Sequence, residues 1–309
     1  MKIGRYQGAD CAERLGVVRE QGGKLEVLDL ITAAQKRGVK DFPQTMNGFI
    51  DGGERTMQQS RETIEWSMRE GDPKWLMDEA GVQWMIPVQV RNCFAGGRNF
   101  AAHKAETLAY WTKQGAKLHS EIPMGFIKLA SVMVPHRATV KRPQDCIWFD
   151  YEVEATAVIG SKAVSIKDED GLKPIFGYTI LNDLSAREIQ RKEMANQSIV
   201  VGKNYPGLGP LGPWITTADD VPDPSVLDVR LTVNGQERQN AHCSDLTFSF
   251  AQLVAHWSKC GLDRGDLVTV GSPAGVAIGM ADPLPFYLKP GDVVRAEVSH
   301  VGVLETRIA

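Results

Sequence analysis

Two glutamates inside an apolar run constrain the fold of this chain more than any other feature. Glu152 and Glu154 lie in the strand-like stretch 148–160, which continues with mostly apolar residues from Ala155 to Ile159. Side chains two apart on a β-strand point to the same face, so the two carboxylates should project together. They are either solvated on an outward face or buried, and buried like charges need a neutralising partner such as a hard divalent cation. The apolar continuation favours burial and, with it, a metal site.

Asp183 is a candidate for a third ligand. It follows the strand-like run 174–181, and a strand end is a common place for a ligating side chain. Residues 185–188 have the S-x-x-E spacing of a capping box, which predicts a helix start and places Arg187 and Gln190 on one helix face. From the spacing alone, Asp183 is explained equally well as a second helix cap and as a metal ligand.

His103 and Glu106 form a second candidate pair. They follow a Gly-Gly turn at residues 96–97, a pattern typical of a mobile or ligand-facing loop that leads into a helix. If the helix begins at Asn99, the two side chains are three positions apart on one face, where the carboxylate can hold and polarise the imidazole. The pair could therefore act as a general base. The alternative is an exposed i,i+3 pair of the kind that many helices carry.

Residues 1–87 predict a small α/β N-terminal accessory domain. A glycine turn at residues 21–23 joins two strand-like runs into a hairpin, and Thr32 is positioned to cap a short helix that ends near Gly38. A surface helix is predicted over residues 54–70. Because this region contains no cluster of His, Asp or Glu with site-like spacing, we place the chemistry in the remainder of the chain.

The remainder of the chain, residues 88–309, predicts a β-rich domain, so the chain as a whole is α+β in class. The pattern predicts strands over residues 85–88, 267–270 and 293–298. It also predicts a hairpin about Asn234-Gly235 and a helix over residues 246–259. Residues 203–214 are rich in glycine and proline, which predicts a shaped loop and argues against a helix or a central strand.

Composition narrows the classes of function. The 309 residues carry a formal net charge of -3, with lysines and arginines scattered, so nucleic acid and anionic membrane surfaces are not expected partners. Because the chain lacks a signal-like N-terminus and any run of about 18 apolar residues, we expect a cytoplasmic protein. Five widely spaced cysteines predict reduced thiols, without a disulfide framework or a zinc knuckle. Chemistry on a small molecule is favoured.

Taken in chain order, the motifs resemble those of the fumarylacetoacetate hydrolase family. The matching pieces span roughly residues 88–309, and each is weak alone while the ordered set is specific. They are Gly97-Arg98-Asn99-Phe100 with His103 and Glu106, Pro123 to Lys128, Asp150 to Gly160, Asn182-Asp183 with Arg187 and Gln190, Lys203, Pro210 to Trp214, and Gly271 to Val276.

The resemblance implies a catalytic domain of mixed strands in a β-sandwich or roll, usually dimeric, with a small N-terminal domain in longer members. It implies a magnesium or manganese ion, with calcium as a further option, on Glu152, Glu154 and Asp183. An all-oxygen site suits such hard cations.

The resemblance also implies roles for the other candidate residues. His103 and Glu106 would activate water, and Lys203 would hold a substrate oxygen beside the metal. The implied substrate contacts are Arg187, Gln190, Lys128 and Ser272.

The implied function is hydrolysis of a carbon–carbon bond in an acylpyruvate-type 1,3-diketo acid such as fumarylpyruvate. The same site could serve oxaloacetate-type decarboxylation, isomerisation or hydration of a 2-oxo acid. A different class, a catalytically silent metal-binding or scaffold protein, is a third alternative. Residues 104–125 and 204–210 are expected to select the substrate.

Overall fold

A long mixed β-sheet organises the chain. The computed structural model describes residues 1–70, 75–103, 105–106 and 121–309. The strands are β1 Lys2–Gln7, β2 Glu13–Gln21, β3 Lys24–Asp29, β4 Leu76–Asp78, β5 Cys93–Gly97, β6 Met124–Lys128, β7 Met133–Val134, β8 Thr139–Val140, β9 Phe149–Asp150, β10 Val153–Ile159, β11 Ile175–Asn182, β12 Ser185–Ala186, β13 Gly209–Thr217, β14 Asp228–Val233, β15 Gln236–His242, β16 Leu267–Thr269, β17 Val293–Val298 and β18 Gly302–Ile308. The helices are α1 Leu30–Arg37, α2 Met46–Asp51, α3 Gly53–Glu70, α4 Arg187–Ala195 and α5 Phe250–Trp257, and residues 101–103 and 105–106 are also helical.

Three sheets are formed. The largest has 11 strands in the order β4-β3-β2-β1-β13-β11-β10-β16-β5-β6, with β7 paired to β13. A five-stranded sheet has the order β15-β14-β17-β18-β8, and β9 pairs with β12. This strand-rich mixed architecture confirms the predicted fold class.

Strand β10 is buried on both faces because it lies in the middle of the large sheet. Its alternate residues Val153, Ala155 and Ile159 belong to one apolar cluster, while Val158 belongs to another on the opposite face. Glu154 lies four residues before Val158, and because side chains alternate along a strand the two share one face. The predicted burial of both glutamates is therefore confirmed. The predicted continuous strand over 148–160 is wrong, because it is divided into β9 and β10 and Glu152 lies between them.

The N-terminal strands extend the same sheet. Strand β1 pairs with β13 through Lys2 opposite Thr216 and Ile3 opposite Ile215. Apolar residues from both parts of the chain pack in one cluster, which includes Ile3, Phe49 and Leu181. The proposed division at residue 87 thus separates segments that share a sheet and a core, and the boundary stays a prediction.

One prediction, that residues 203–214 form only a loop, is wrong. Strand β13 begins at Gly209 and lies between β1 and β11 in the large sheet. Its register with β11 shifts between Tyr178 and Ile180, so that the segment around Pro213 bulges opposite Thr179. The missing N–H groups of proline are tolerated there because the backbone ladder is already interrupted. The Thr179 hydroxyl donates instead to the carbonyl of Trp214 at 2.8 Å.

Other boundaries also differ from the sequence pattern. Residues 85–88 are not a strand, and the strand of this region is β5. Asp29 caps α1 by accepting from the N–H of Thr32, so Thr32 is not the cap. The helix predicted over 246–259 is shorter, because Ser249 caps α5 in a reciprocal capping box with Gln252.

Several turn predictions are confirmed. Gly22 and Gly23 connect β2 to β3, and Asn234-Gly235 connects β14 to β15 with positive φ at both residues, as a two-residue hairpin requires. The five cysteines, all among the described residues, are free thiols. Within the described part of the chain, no helix combines the length and the apolar character needed to cross a bilayer.

Candidate metal centre and active site

Three carboxylates converge where β11 ends and β10 begins. Pairing of Val153 with Asn182 brings these strand ends together. The Asn182 side chain accepts from the N–H of Glu152, and the N–H of Asp183 donates to the carbonyl of Glu152 at 2.8 Å. As a result, ligand oxygens of Glu152, Glu154 and Asp183 lie within 4.8 Å of one another in a buried position. The structure thus places Asp183 beside the two glutamates and not on a helix.

The donor set fits a divalent metal ion. All three groups are carboxylates, which are hard oxygen ligands of the type that Mg²⁺, Mn²⁺ and Ca²⁺ accept. Thr269 also donates a short hydrogen bond from its hydroxyl to Oε2 of Glu154. A hydrogen-bond donor of this kind, which does not itself bind the metal, orients a ligating carboxylate.

Two lysines neutralise part of the negative charge. Lys203 Nζ lies 2.5 Å from Oε2 of Glu152 and 2.5 Å from Oδ2 of Asp183. Lys128 Nζ lies 2.6 Å from Oδ1 of Asp183 and 2.6 Å from the carbonyl oxygen of Lys203. Both Asp183 oxygens are therefore engaged, and its carboxylate is held in one orientation.

Lys128 has a different position from the one predicted for a substrate contact. Its side chain is fully buried, and it is not among the residues that line the cavity over the site. It lies behind Asp183, where it can orient that carboxylate without touching a ligand.

Arg187 connects Glu152 to the start of α4. Its guanidinium donates to Oδ2 of Asp150 at 2.8 Å, to Oε1 of Glu152 at 2.6 Å and to Oε1 of Gln190 at 2.8 Å. The predicted shared helix face of Arg187 and Gln190 is confirmed by this last contact.

The capping box predicted at residues 185–188 is wrong. Ser185 lies in β12, and its hydroxyl donates to the carbonyl of Asp183. Glu188 instead accepts from the backbone N–H groups of Ile147 and Trp148, both at 2.7 Å. Helix α4 has no side-chain cap, since the tertiary contact takes the glutamate.

The electrostatics of the two glutamates are opposite. Burial alone would raise the pKa of Glu152, but the adjacent charges of Arg187 and Lys203 outweigh it and hold that pKa well below the ordinary value. Burial raises the pKa of Glu154 well above the ordinary value, and the neighbouring charges of Asp183 and Glu152 raise it further. A cation bound between these groups would relieve that repulsion.

The His103–Glu106 pair lies on the helical segment that follows β5. Nδ1 of His103 is 3.6 Å from Oε2 of Glu106, which is longer than a hydrogen bond. The Glu106 carboxylate accepts from the N–H of Gly275 at 3.0 and 3.1 Å. The pair is thus packed against the 275–279 segment, and the alternative of an exposed helix pair does not hold, since His103 is buried.

One cavity joins the candidate residues. Its polar lining comes from Arg98, His103, Glu152, Glu154, Arg187, Gln190, Lys203 and Ser272. Its apolar lining comes from Met124, Phe126, Met194, Ile199 and Ile278. Ser272 accepts from Nε2 of Gln239 at 2.7 Å, which fixes its hydroxyl. The cavity has a charged base and an apolar wall, as a site for a small organic acid requires.

Of the segments expected to select the substrate, Met124 and Gly125 line this cavity. Residues 104 and 107–120 lie outside the described residues. Residues 204–210 are not part of the lining, although Lys203 just before them is.

Sequence reasoning gave no role to Asp150, Gln239 or Thr269. Asp150 is the only one of the three with a local signal, because it opens the motif that contains both glutamates. Thr269 reaches Glu154 across 115 positions of sequence, and Gln239 reaches Ser272 across 33. No local spacing could have identified these two contacts.

Comparison with known proteins is consistent with this geometry. Residues 92–309 match the family model described as fumarylacetoacetate (FAA) hydrolase C-terminal. A mitochondrial oxaloacetate tautomerase of Xenopus laevis is 28% identical over 311 residues, covering 100% of this chain and 90% of its own length.

Two solved structures also align along the chain. The fumarylacetoacetate hydrolase of Exiguobacterium antarcticum has a TM-score of 0.76 at 26% identity, covering 100% of this chain and 99% of that one. Maleylpyruvate hydrolase of Sphingobium sp. SYK-6, in complex with manganese(II) and pyruvate, has a TM-score of 0.73 at 25% identity with the same coverage.

Proposed function

Because the chain belongs to the fumarylacetoacetate hydrolase family, we propose that it is a divalent-metal-dependent hydrolase that cleaves a carbon–carbon bond in an acylpyruvate-type 1,3-diketo acid. The observation that carries the proposal is the arrangement around one cavity. The buried carboxylates Glu152 and Glu154 line its base, and His103, backed by a Glu106 carboxylate that accepts from a backbone N–H, lines the same space. The manganese and pyruvate in the related maleylpyruvate hydrolase structure support the same class of ligand.

The metal site has a defined role in this proposal. A divalent ion held by Glu152, Glu154 and Asp183 would supply Lewis-acid polarisation of the 2-oxo acid end of the substrate. Mg²⁺ and Mn²⁺ suit the oxygen ligands best, with Ca²⁺ as a further option.

The chain's own groups bind the substrate and move the proton. Arg187 and Gln190 bind the substrate carboxylate, and the Lys203 ammonium stabilises negative charge on the 2-oxo oxygen. His103, oriented by Glu106, takes a proton from a water molecule as that water attacks the distal carbonyl carbon. General-base assistance of this kind is typically worth about 10²–10⁴-fold in rate.

The remaining bonds balance as follows. The bond between the distal carbonyl carbon and the adjacent methylene carbon breaks, and its electron pair stays on the methylene carbon. That carbon then takes up the proton held by His103. The products are a carboxylic acid from the distal part and pyruvate from the 2-oxo acid part.

A substrate panel tests the proposal. Acetylpyruvate, fumarylpyruvate and oxaloacetate are supplied to the purified protein with Mn²⁺ and with EDTA, and pyruvate release is measured. We expect metal-dependent pyruvate release from an acylpyruvate and a loss of about 10²-fold or more in His103→Ala. His300→Asn is the matched control, because His300 is an exposed histidine whose left-handed backbone (φ 63°) asparagine tolerates. Unchanged turnover in His103→Ala would refute the hydrolytic role.

Oxaloacetate tautomerisation is the second candidate, and the match to the Xenopus enzyme over the whole of this chain favours it. This reaction moves a proton between carbon and oxygen and consumes no water, so a single base suffices. Decarboxylation and other isomerisations of a 2-oxo acid belong to the same group. Accelerated decay of enol-oxaloacetate absorbance, with acylpyruvates left intact, would replace the hydrolase proposal by this one.

We also propose a homodimer, acting in the cytoplasm on a small 2-oxo acid, without nucleic acid or membrane partners. Its support is an exposed apolar group, Ile127, Leu129, Val200 and Val201, each between 44% and 51% exposed. The side-chain amide of Asn204 donates to the carbonyls of Ile127 and Val200, so the two segments that carry these residues lie side by side. Strand β6, which carries Ile127, is an edge of the large sheet. Light scattering of the wild type and of Ile127→Lys tests the state, and a monomer at micromolar concentration would refute it.

A further inference from the structure

The segment from Gly275 to Gly279 binds two carboxylates from different parts of the site. The N–H of Gly275 donates to both oxygens of Glu106, at 3.0 and 3.1 Å. The N–H groups of Ala277 and Ile278 donate to Asp150, at 2.8 and 3.1 Å. Because Asp150 also accepts from Arg187, this one turn connects the His103–Glu106 pair to the charged base of the cavity.

Gly279 lies against the Glu106 side chain. A Cβ built on Gly279 would lie 2.4 Å from Cδ, 2.5 Å from Cγ and 2.8 Å from Oε1 of Glu106. Carbon atoms do not approach one another this closely without displacement, so any side chain at position 279 must move the glutamate. The backbone of Gly279 is not in the left-handed region, and alanine is therefore conformationally allowed there. Glycine is therefore needed at position 279 to leave room for the Glu106 side chain, and not to allow an unusual backbone conformation.

We propose that Gly279 and the N–H of Gly275 form a socket that seats the Glu106 carboxylate, and that Gly279 is thereby a positioning residue for the His103–Glu106 pair. The inference rests on the proposed function, in which Glu106 orients His103. The socket has two parts. The Gly275 N–H holds the carboxylate by a charge-assisted hydrogen bond, and the bare Cα of Gly279 leaves the space that its carbon atoms occupy.

Substitution of Gly279 should affect the orientation of Glu106 more than the stability of the fold. The methyl group introduced by Gly279→Ala would meet atoms at the end of a flexible side chain that is 18% exposed. Glu106 can therefore rotate away at little cost in folding free energy. Its carboxylate then leaves Gly275, and His103 loses its orienting partner. A displacement of about 1 Å can reduce a rate by about 10².

The first experiment measures the Gly275 amide resonance by ¹⁵N NMR in the metal-free protein. A carboxylate acceptor shifts an amide proton downfield, so wild type should show a downfield Gly275 signal that both Glu106→Ala and Gly279→Ala abolish. Gly81→Ala is the control, because a Cβ at Gly81 meets nothing within 4 Å and its backbone is also outside the left-handed region. A Gly275 signal unchanged in Gly279→Ala would overturn the socket, whatever reaction the protein catalyses.

The second experiment is a double-mutant cycle on the substrate found active in the panel. Gly279→Ala should lower kcat by about 10–100-fold with KM and metal affinity within about twofold, and Gly81→Ala should match wild type. In the Glu106→Ala background, adding Gly279→Ala should change neither kcat nor the melting temperature, because the displaced atoms are gone. An equal further loss in that background would show a general structural role and overturn the proposal. If the amide signal responds as expected but Glu106→Ala keeps full activity, the socket stands and the hydrolytic function fails.

Discussion

Lys203 and Glu152 form a direct ion pair inside the protein, with Nζ 2.5 Å from Oε2 and side-chain exposures of 2% and 7%. The lysine also contacts Asp183 at 2.5 Å, so one ammonium group bridges two of the three candidate metal ligands. The site therefore combines a cluster of carboxylates with built-in cations. Removing either kind of charge should have measurable and different effects.

Lys203→Met should destabilise the metal-free protein. Methionine keeps the length of the side chain but removes the charge, so that Glu152 keeps only Arg187 and Asp183 keeps only Lys128 as a cationic partner. Breaking a buried pair in this way costs about 3–5 kcal/mol. Urea denaturation in EDTA measures the loss, and added Mn²⁺ should recover part of it. Lys167→Met is the control, since Lys167 pairs with Glu169 at the surface with 78% exposure and should have no effect. Equal stability of the two variants would contradict the prediction.

The stabilising effect of metal should grow with pH. The folded-state pKa of Glu154 is raised by burial and by the charge of Asp183. The stability that the protonated Glu154 contributes is therefore complete below the unfolded-state pKa, and it is lost as the pH rises through the folded-state pKa. A bound cation favours the ionised carboxylate and offsets that loss. Melting temperatures with Mn²⁺ and with EDTA should diverge as pH increases.

Glu154→Gln is the comparison for this pH dependence. Glutamine mimics the protonated carboxyl group, so the metal-free variant should keep its stability at high pH better than wild type does. A constant difference between the Mn²⁺ and EDTA melting temperatures across the pH series would refute the assignment of the effect to Glu154.

Asp183→Asn should weaken metal binding more than the loss of an outer partner does. Replacing a residue that only orients a ligand typically costs about 10–100-fold in affinity, so the loss of a ligating carboxylate should exceed about 100-fold. Titration calorimetry with Mn²⁺ measures the change. Glu169→Gln, an exposed acidic residue outside the carboxylate cluster, provides the control. Wild-type affinity in Asp183→Asn would show that Asp183 is not a metal ligand and would contradict the prediction.

Asp150→Asn should disturb substrate binding more than metal binding. Asp150 is fully buried and accepts from Arg187 Nε and from the N–H groups of Tyr151, Ala277 and Ile278. An asparagine NH₂ group would face at least one of these donors, which costs about 1–3 kcal/mol. We expect a lower melting temperature and a KM raised several-fold as Arg187 loosens, with Mn²⁺ affinity close to wild type. Asp282→Asn at an exposed position should leave all three unchanged.

Prediction from sequence worked where the cause is local. The alternation around Glu152 and Glu154 and the turns at Gly22-Gly23 and Asn234-Gly235 each depend on a few neighbouring residues. It failed where tertiary contacts compete with local preference. Glu188 leaves its capping position for the N–H groups of Ile147 and Trp148. Strand β13 takes a central place despite Pro213 because its ladder with β11 is irregular there.

The sequence by itself indicated that two neighbouring carboxylates project together and favoured their burial, since side chains alternate with a period of two residues and the following run is apolar. It also determined the ordered motifs by which the family is identified. Only the tertiary structure decided which groups complete the site. The pairing of β10 with β11 brings Asp183 to Glu154, and the fold of the 275–279 turn brings a backbone N–H to Glu106 across 169 positions. Contacts over such separations depend on strand register and side-chain packing, which no local pattern encodes.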